Sequence, residues 1–317
     1  MRVINGMMFI EEKYIRRWDS ERVSGRLKEG IRMAAAVLAW LLDSANPAVK
    51  YRVKTELLDL ADDPAEALSW IVQKWPADWY KTKGLRYVYS VNALAECGLH
   101  RSDMPSEWFE PAMDRIRTGF DFGCEAFLLL QAMAALGFGE DPGVQELFAL
   151  LHLKQLPDGG FLCERRRGKL KYVPKSCYKA DYYALRLCSC CRKNGITLEI
   201  EPGIVRYFLD RNLLFRRDHP EELVLNGKEG WRNADAFYPF EVMRVGIQNM
   251  METVSALGYG NAPEAAIGWE YLESAKDAMG RVILSGTLTK SYLPKEKVGS
   301  PSAWATFYAL LAEKERQ

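Results

Sequence analysis

The chain has 317 residues, of which 48% are apolar and 27% are charged. With 43 basic and 42 acidic residues, its formal net charge is +1. This composition is that of a folded globular protein and excludes a disordered or collagen-like chain. A near-neutral chain also gives no reason to expect nucleic acid or an acidic membrane surface as a general partner.

Three features predict a cytoplasmic protein. The longest uninterrupted apolar run, 33–42, has about half the length that spans a bilayer, so we expect no transmembrane segment. Glu11 and Glu12 follow directly on Phe9 and Ile10, which argues against a secretory signal. The seven cysteines are an odd number, which suits reduced thiols.

Apolar residues recur at helical spacing along almost the whole chain. In chain order they predict helices over 33–42, 47–60, 64–75, 88–97, 125–136, 144–153, 181–191, 203–213, 242–257, 263–275 and 302–313. Short strands are expected only within 161–174 and 281–293, and they would form hairpin-like connections. The sequence therefore predicts an all-α fold.

The chain also contains an internal repeat. L-G-F-G at 136–139, followed by Pro142, returns 121 residues later as L-G-Y-G at 257–260, followed by Pro263. Each unit consists of an apolar helix, a glycine bend, an amphipathic helix and a glycine turn. Repeated helix pairs stack side by side with the more apolar helix facing inward. The periodicity leaves an open solenoid and a closed ring as alternatives.

Q-L-P-D-G-G-F at 155–161 resembles the Q-x-x-D-G-G-F turn of the squalene cyclase and protein prenyltransferase β-subunit superfamily. S-C-Y at 176–178 is similar to the segment that carries the zinc cysteine in prenyltransferases, and P-S-A-W at 301–304 fits bacterial stand-alone members. The resemblance covers about residues 36–317 and implies a closed α/α toroid of five or six helix pairs around an apolar central pocket. It leaves 1–35 as an N-terminal extension.

The chemistry of that superfamily transfers poorly to this chain. A prenyltransferase zinc site would need an acid two positions before Cys177, where Lys175 stands, and a histidine near Ala305. A lone thiol does not hold zinc, so we expect no metal and no other cofactor. The D-x-D-D acid of the cyclases is missing, and the only adjacent aspartates, Asp62 and Asp63, suit a helix cap better than a Mg²⁺ site. Enzymatic activity stays open.

The candidate catalytic residues are acids near the starts of inner helices. In a toroid these starts would form a ring at one mouth of the pocket, where helix dipoles favour anions. Asp181 is the first candidate for a general acid, provided that burial raises its pKa, and Glu241 and Asp235 come next. The alternative is that these acids only cap helices.

The candidate substrate-binding residues are aromatic, thiol and basic side chains near the same helix starts. The predicted set is Tyr178, Cys177, Trp231, Tyr238, Trp304, Arg166 and Lys175. Aromatic rings can line an apolar pocket and stabilise a carbocation, and the basic segment 164–179 could hold a diphosphate. The alternatives are aromatic residues of an ordinary core and a solvated hairpin.

Two functional hypotheses follow. The first is a terpenoid-cyclase- or prenyltransferase-like toroid that binds or transforms an isoprenoid or similar lipid. The second is a catalytically inactive helical-repeat scaffold that binds a peptide or a protein.

Overall fold

The computed structural model describes residues 25–119, 123–162, 176–216, 219–223, 245–287 and 292–317. These segments are predominantly helical, which confirms the all-α prediction. Their helices are α1 (Gly25–Leu42), α2 (Pro47–Arg52), α3 (Ala65–Val72), α4 (Leu85–Glu96), α5 (Glu110–Thr118), α6 (Cys124–Met133), α7 (Pro142–Leu150), α8 (Tyr178–Lys193), α9 (Glu201–Leu209), α10 (Ile247–Ala256), α11 (Ala266–Ser274) and α12 (Ala303–Arg316). Measured against the length and apolarity that a bilayer span needs, every helix of the described segments falls short.

Each of the eleven predicted segments contains a helix, but several boundaries differ. Helix α1 begins at Gly25 and therefore runs across residue 36, where we expected the repeat region to begin. The backbone of Gly246 is extended, so α10 begins at Ile247 rather than at 242. Helix α5 was not predicted, because it buries only Ala112 and Ile116 and its apolar pattern is correspondingly weak.

The strands of the described residues lie outside the two regions where strands were expected. Strands β1 (Phe215–Arg216) and β2 (His219–Leu223) form an antiparallel pair with an irregular register. The described part of 281–293 contains isolated bridge residues, among them Val282 and Ile283. Residues 163–174 of the other expected strand region lie outside the described residues.

Helices of two kinds alternate along the chain. Five of the even-numbered helices are buried on most of their surface: α4, α6, α8, α10 and α12. We call these five, together with the shorter α2, the central helices. Helix α4 packs on α6, α6 on α8, α8 on α10, α10 on α12, and α12 on α2 with its π-helical continuation Val53–Leu57. The helices between them, such as α3, α9 and α11, bury a single face against this inner layer.

A left-handed glycine follows four of the central helices: Gly98, Gly137, Gly195 and Gly258, with φ between 73° and 89°. Such a glycine closes a helix because it turns the chain without a Cβ clash. The Ile196 N–H then bonds the Cys191 carbonyl at 2.9 Å, and the Tyr259 N–H bonds the Val254 carbonyl at 2.9 Å. The L-G-x-G repeat is therefore the sequence signature of the carboxyl end of a central helix.

Candidate functional site

A cavity of about 250 Å³ lies between the carboxyl ends of the central helices. All six central helices contribute lining residues, which come from the carboxyl-terminal halves of five of them and, in α12, from Tyr308 in the middle of the helix. The charged residues on its wall are Arg52, Glu56, Glu96, Arg186, Lys193 and Glu252. Three cations and three anions balance one another, and the negative ends of the helix dipoles favour the cations here. The cavity is thus polar and close to electroneutral.

Glu96 forms the centre of this charged set. It is the last residue of α4 and is only 4% exposed. Its Oε1 lies 3.7 Å from Nη1 of Arg52, and its Oε2 lies 3.7 Å from Nη2 of Arg186. The hydroxyl of Tyr308, on α12, donates a hydrogen bond to the same carboxylate. Glu96 therefore ties α2, α4, α8 and α12 together.

Arg52 links the first and last central helices. Its Nη1 donates to the Tyr308 hydroxyl at 2.8 Å and to the Glu96 carbonyl at 3.1 Å, while Nε and Nη2 donate to both carboxylate oxygens of Glu56. Its guanidinium carbon also lies 4.6 Å from the ring centre of Phe307, within cation–π distance. This guanidinium is held from several sides.

The two buried carboxylates of the cavity respond differently to their surroundings. Burial raises the pKa of Glu96 more than the guanidinium groups of Arg186 and Arg52 lower it. Glu252 is also buried, but Lys193 and Arg186 hold its pKa below the ordinary value. Nζ of Lys193 lies 2.5 Å from Oε1 of Glu252. A folded protein can thus keep Glu252 as an anion while Glu96 takes up a proton more readily.

Polar groups continue one helical turn further towards the amino ends. Because residues three or four apart share a helix face, Asn249 lies one turn before Glu252 on the same face of α10, and Tyr182 lies one turn before Arg186 on the same face of α8. Asn249 is fully buried, and neither its amide oxygen nor its amide nitrogen has a hydrogen-bond partner among the described residues. Leaving a buried amide unpaired costs about 1–3 kcal/mol, so such groups normally bind water or a ligand.

Asp181, the first catalytic candidate, anchors the D-G-G-F turn. It is fully buried near the start of α8 and accepts a hydrogen bond from the Phe161 N–H at 2.6 Å. A Cβ on Gly160 would lie 2.9 Å from its Oδ2, so the second glycine of the motif is needed for this close approach. Burial raises the pKa of Asp181 well above its ordinary value, although the Phe161 N–H and the Tyr207 hydroxyl oppose the shift. Asp181 thus lies in a packed turn, and its role as a general acid stays a prediction.

The other described candidates lie in packed surroundings at the amino ends of α8 and α12. The Tyr178 hydroxyl donates to the Leu213 carbonyl at 2.6 Å, and its ring packs edge-on against Phe208. Trp304 is fully buried. Cys177 precedes the first turn of α8, and its thiol hydrogen bonds with that of Cys124. Among the described residues, none of these side chains lines the cavity.

The remaining six candidates are Arg166, Lys175, Trp231, Asp235, Tyr238 and Glu241, and they lie outside the described residues. The helix predicted to begin at 242 starts instead at Ile247, after the extended Gly246. The described residues therefore assemble a site at the opposite end of the helices from the one predicted.

Sequence reasoning missed the charged cavity residues, although a signal for them exists. Glu96 ends an apolar stretch, V-N-A-L-A-E, and Arg186 interrupts another, Y-Y-A-L-R-L-C. A charge on the buried stripe of a helix is expensive unless it has a partner, and it therefore points to a polar interior.

No group of three or more histidine, cysteine or acidic residues within the described segments is placed to bind a metal ion. Asp62 instead pairs with Lys54 at 2.9 Å, and Asp63 accepts the Ala65 N–H at the start of α3. The expectation that no zinc occupies Cys177 stays a prediction.

Comparison of the chain with protein-family models, with curated proteins and with solved structures returns no match. The superfamily resemblance therefore depends on its motif residues alone, above all on the turn at 155–161.

Proposed function

We propose that the six central helices close into a ring, as in an α/α toroid, and that the protein binds a small zwitterionic molecule in the cavity at their carboxyl ends. The ring is supported by the continuous series of helix contacts from α4 to α12 and on to α2. Arg52 of α2 supplies the last joint, because it bonds both Tyr308 on α12 and the carbonyl of Glu96 on α4.

The observation that carries the proposal is the balanced set of four buried charges, Arg52, Arg186, Glu96 and Glu252, on one cavity. Replacing a buried ion pair with apolar side chains of similar volume is often neutral or stabilising, so stability alone gives little reason to keep four buried charges. A ligand with both an ammonium and a carboxylate matches walls that offer Glu252 and Arg186. The volume equals that of about eight water molecules, which suits a compound the size of an amino acid.

The isoprenoid hypothesis stays a prediction. It places the ligand at the other end of the helices, away from the charged cavity. Three of its described residues, Asp181, Tyr178 and Trp304, are buried in packing contacts. The rest of its site falls mainly on residues outside the described segments. A prenyl diphosphate therefore belongs in the same ligand panel as the zwitterions.

The test measures thermal stabilisation and then calorimetric binding of free amino acids, a dipeptide, a dicarboxylate, a diamine and a prenyl diphosphate. A ligand at 100 times its Kd stabilises the folded state by about 2.7 kcal/mol. Ala135→Phe places a ring in the cavity without removing a charge, and Ala266→Phe on the exposed face of α11 is the matched control.

We expect a zwitterion to stabilise the natural protein and Ala266→Phe, and to have no effect on Ala135→Phe. Stabilisation by the prenyl diphosphate alone, or a zwitterion effect that survives Ala135→Phe, would contradict the proposal.

A further inference from the structure

Two thiols meet at the amino ends of α6 and α8, the end of these helices that lies away from the cavity. Cys124 is the first residue of α6, and Cys177 immediately precedes α8. The two helices pack side by side, the Cys177 N–H donates to the Phe161 carbonyl at 2.8 Å, and the Phe161 ring lies 4.7 Å from that of Phe127, one turn after Cys124, so the two thiols come within hydrogen-bonding reach. Both residues are half-buried, and neither belongs to a disulfide. Solvent therefore reaches a dithiol that the two helices already hold in contact.

We propose that Cys124 and Cys177 form a reversible redox pair that closes to a disulfide when the protein meets a peroxide. This inference does not depend on the ligand of the cavity, because it concerns the other end of the helices.

The setting makes Cys177 the attacking thiol. Its hydrogen bond with Cys124 lowers the pKa of Cys177 to about 5, and the backbone N–H groups of Lys179 and Ala180 and the charge of Lys179 act in the same direction, against the effect of burial. Asp181, the nearest acid on the same helix, is itself held towards its neutral form by burial. A thiolate at a helix start is the form in which cysteine reacts with oxidants.

The remaining described cysteines provide an internal contrast. Burial raises the pKa of Cys97, Cys188, Cys190 and Cys191 above the ordinary value. These thiols are protonated at neutral pH and react slowly. Within the described residues, oxidation should therefore select Cys177.

The reaction balances in two steps. The Cys177 thiolate attacks one peroxide oxygen, the O–O bond breaks, and hydroxide leaves, which gives a sulfenic acid on Cys177. The sulfur of Cys124 then attacks the Cys177 sulfur, the S–O bond breaks, and water leaves with the thiol proton. Two thiols are oxidised to one disulfide, and one hydrogen peroxide is reduced to two waters.

The test exposes the full chain to hydrogen peroxide, blocks the remaining thiols and maps peptides without a reductant. We expect a cross-linked pair of peptides that carry Cys124 and Cys177, lighter by two hydrogen atoms than the reduced peptides and released by dithiothreitol. Cys190→Ser, the matched control for a half-buried cysteine, should form the same link. Cys124→Ser should instead stop at a sulfenic acid on Cys177, which dimedone traps.

Alkylation by iodoacetamide at pH 6 tests the thiol contact without any oxidant. Cys124→Ala removes the hydrogen bond, so labelling of Cys177 should slow several-fold while the circular dichroism of the variant stays native. The proposal is overturned if the folded natural protein yields no Cys124–Cys177 link, if Cys177 pairs with another cysteine, or if Cys124→Ala labels as fast as the natural protein.

Discussion

Replacing Tyr308 with phenylalanine removes one hydroxyl from the middle of the charged network and leaves the ring in place. That hydroxyl donates to the carboxylate of Glu96 and accepts from Nη1 of Arg52 at 2.8 Å. Both partners are more than nine-tenths buried, so water can reach the lost bonds only from the cavity that these residues line. The change therefore isolates the contact that connects α12 to α2 and α4.

The size of the effect follows from these two bonds. A hydrogen bond to a charged group contributes about 1.5–3 kcal/mol. Arg52 keeps its bonds to Glu56, and Glu96 keeps two guanidinium groups at 3.7 Å, so part of the loss is compensated. We expect Tyr308→Phe to lower the free energy of unfolding by about 2–4 kcal/mol.

Urea unfolding at pH 7, followed by circular dichroism, measures this loss. Tyr271→Phe, a half-buried tyrosine on the outer helix α11, is the control and should change stability by less than about 0.5 kcal/mol. In combination with Glu96→Gln, the loss caused by Tyr308→Phe should shrink, because contacting residues are energetically coupled. A loss below about 0.5 kcal/mol for Tyr308→Phe, or full additivity with Glu96→Gln, would refute this reasoning.

Three further predictions concern other parts of the structure and are tested by urea unfolding. Because burial raises the pKa of Asp181, the free energy of unfolding of the natural protein should fall as the pH rises from the ordinary aspartate pKa through the raised one. Asp181→Asn should abolish that fall. Asp181→Ala should lower the free energy of unfolding by about 1–3 kcal/mol at pH 5. Because Lys193 lowers the pKa of Glu252, Glu252→Gln should lower the free energy of unfolding by about 1–3 kcal/mol at pH 7. This difference from the natural protein should shrink as the pH drops through the lowered pKa. Gly159→Ala should cost about 2–4 kcal/mol, because its Cβ would lie 2.1 Å from a backbone carbonyl oxygen at φ +87°, whereas Gly195→Ala, with open space around it, should cost about 1–2 kcal/mol. Equal costs at the two glycines, or pH profiles of unchanged slope in the two acid variants, would count against these assignments.

The fold could be predicted from the sequence to the extent that its signals are local. Helical periodicity can be read within a dozen or so residues, and it located every helix of the described segments except α5. The hairpin of β1 and β2 was missed, because Phe215 and His219 lie in a short polar stretch without strand alternation.

The cavity could not be predicted, because the residues that form it are far apart in the chain. Tyr308 and Glu96 are separated by 212 positions, and Tyr308 and Arg52 by 256. A charge within an apolar stretch, such as Glu96 or Arg186, indicates a polar interior but not its partners, and only the packing of the six helices brings these residues together. Asp181 shows the reverse case: the D-G-G-F motif is local, but its partner on α8 becomes visible only when the turn folds against it.

A crystal structure of the protein with the zwitterion that binds most tightly tests the central claim most directly. We expect electron density for the ligand in the cavity, with its carboxylate at Arg186 and its ammonium group at Glu252. Density at the amino ends beside Tyr178 and Trp304, with the charged cavity unchanged, would contradict it.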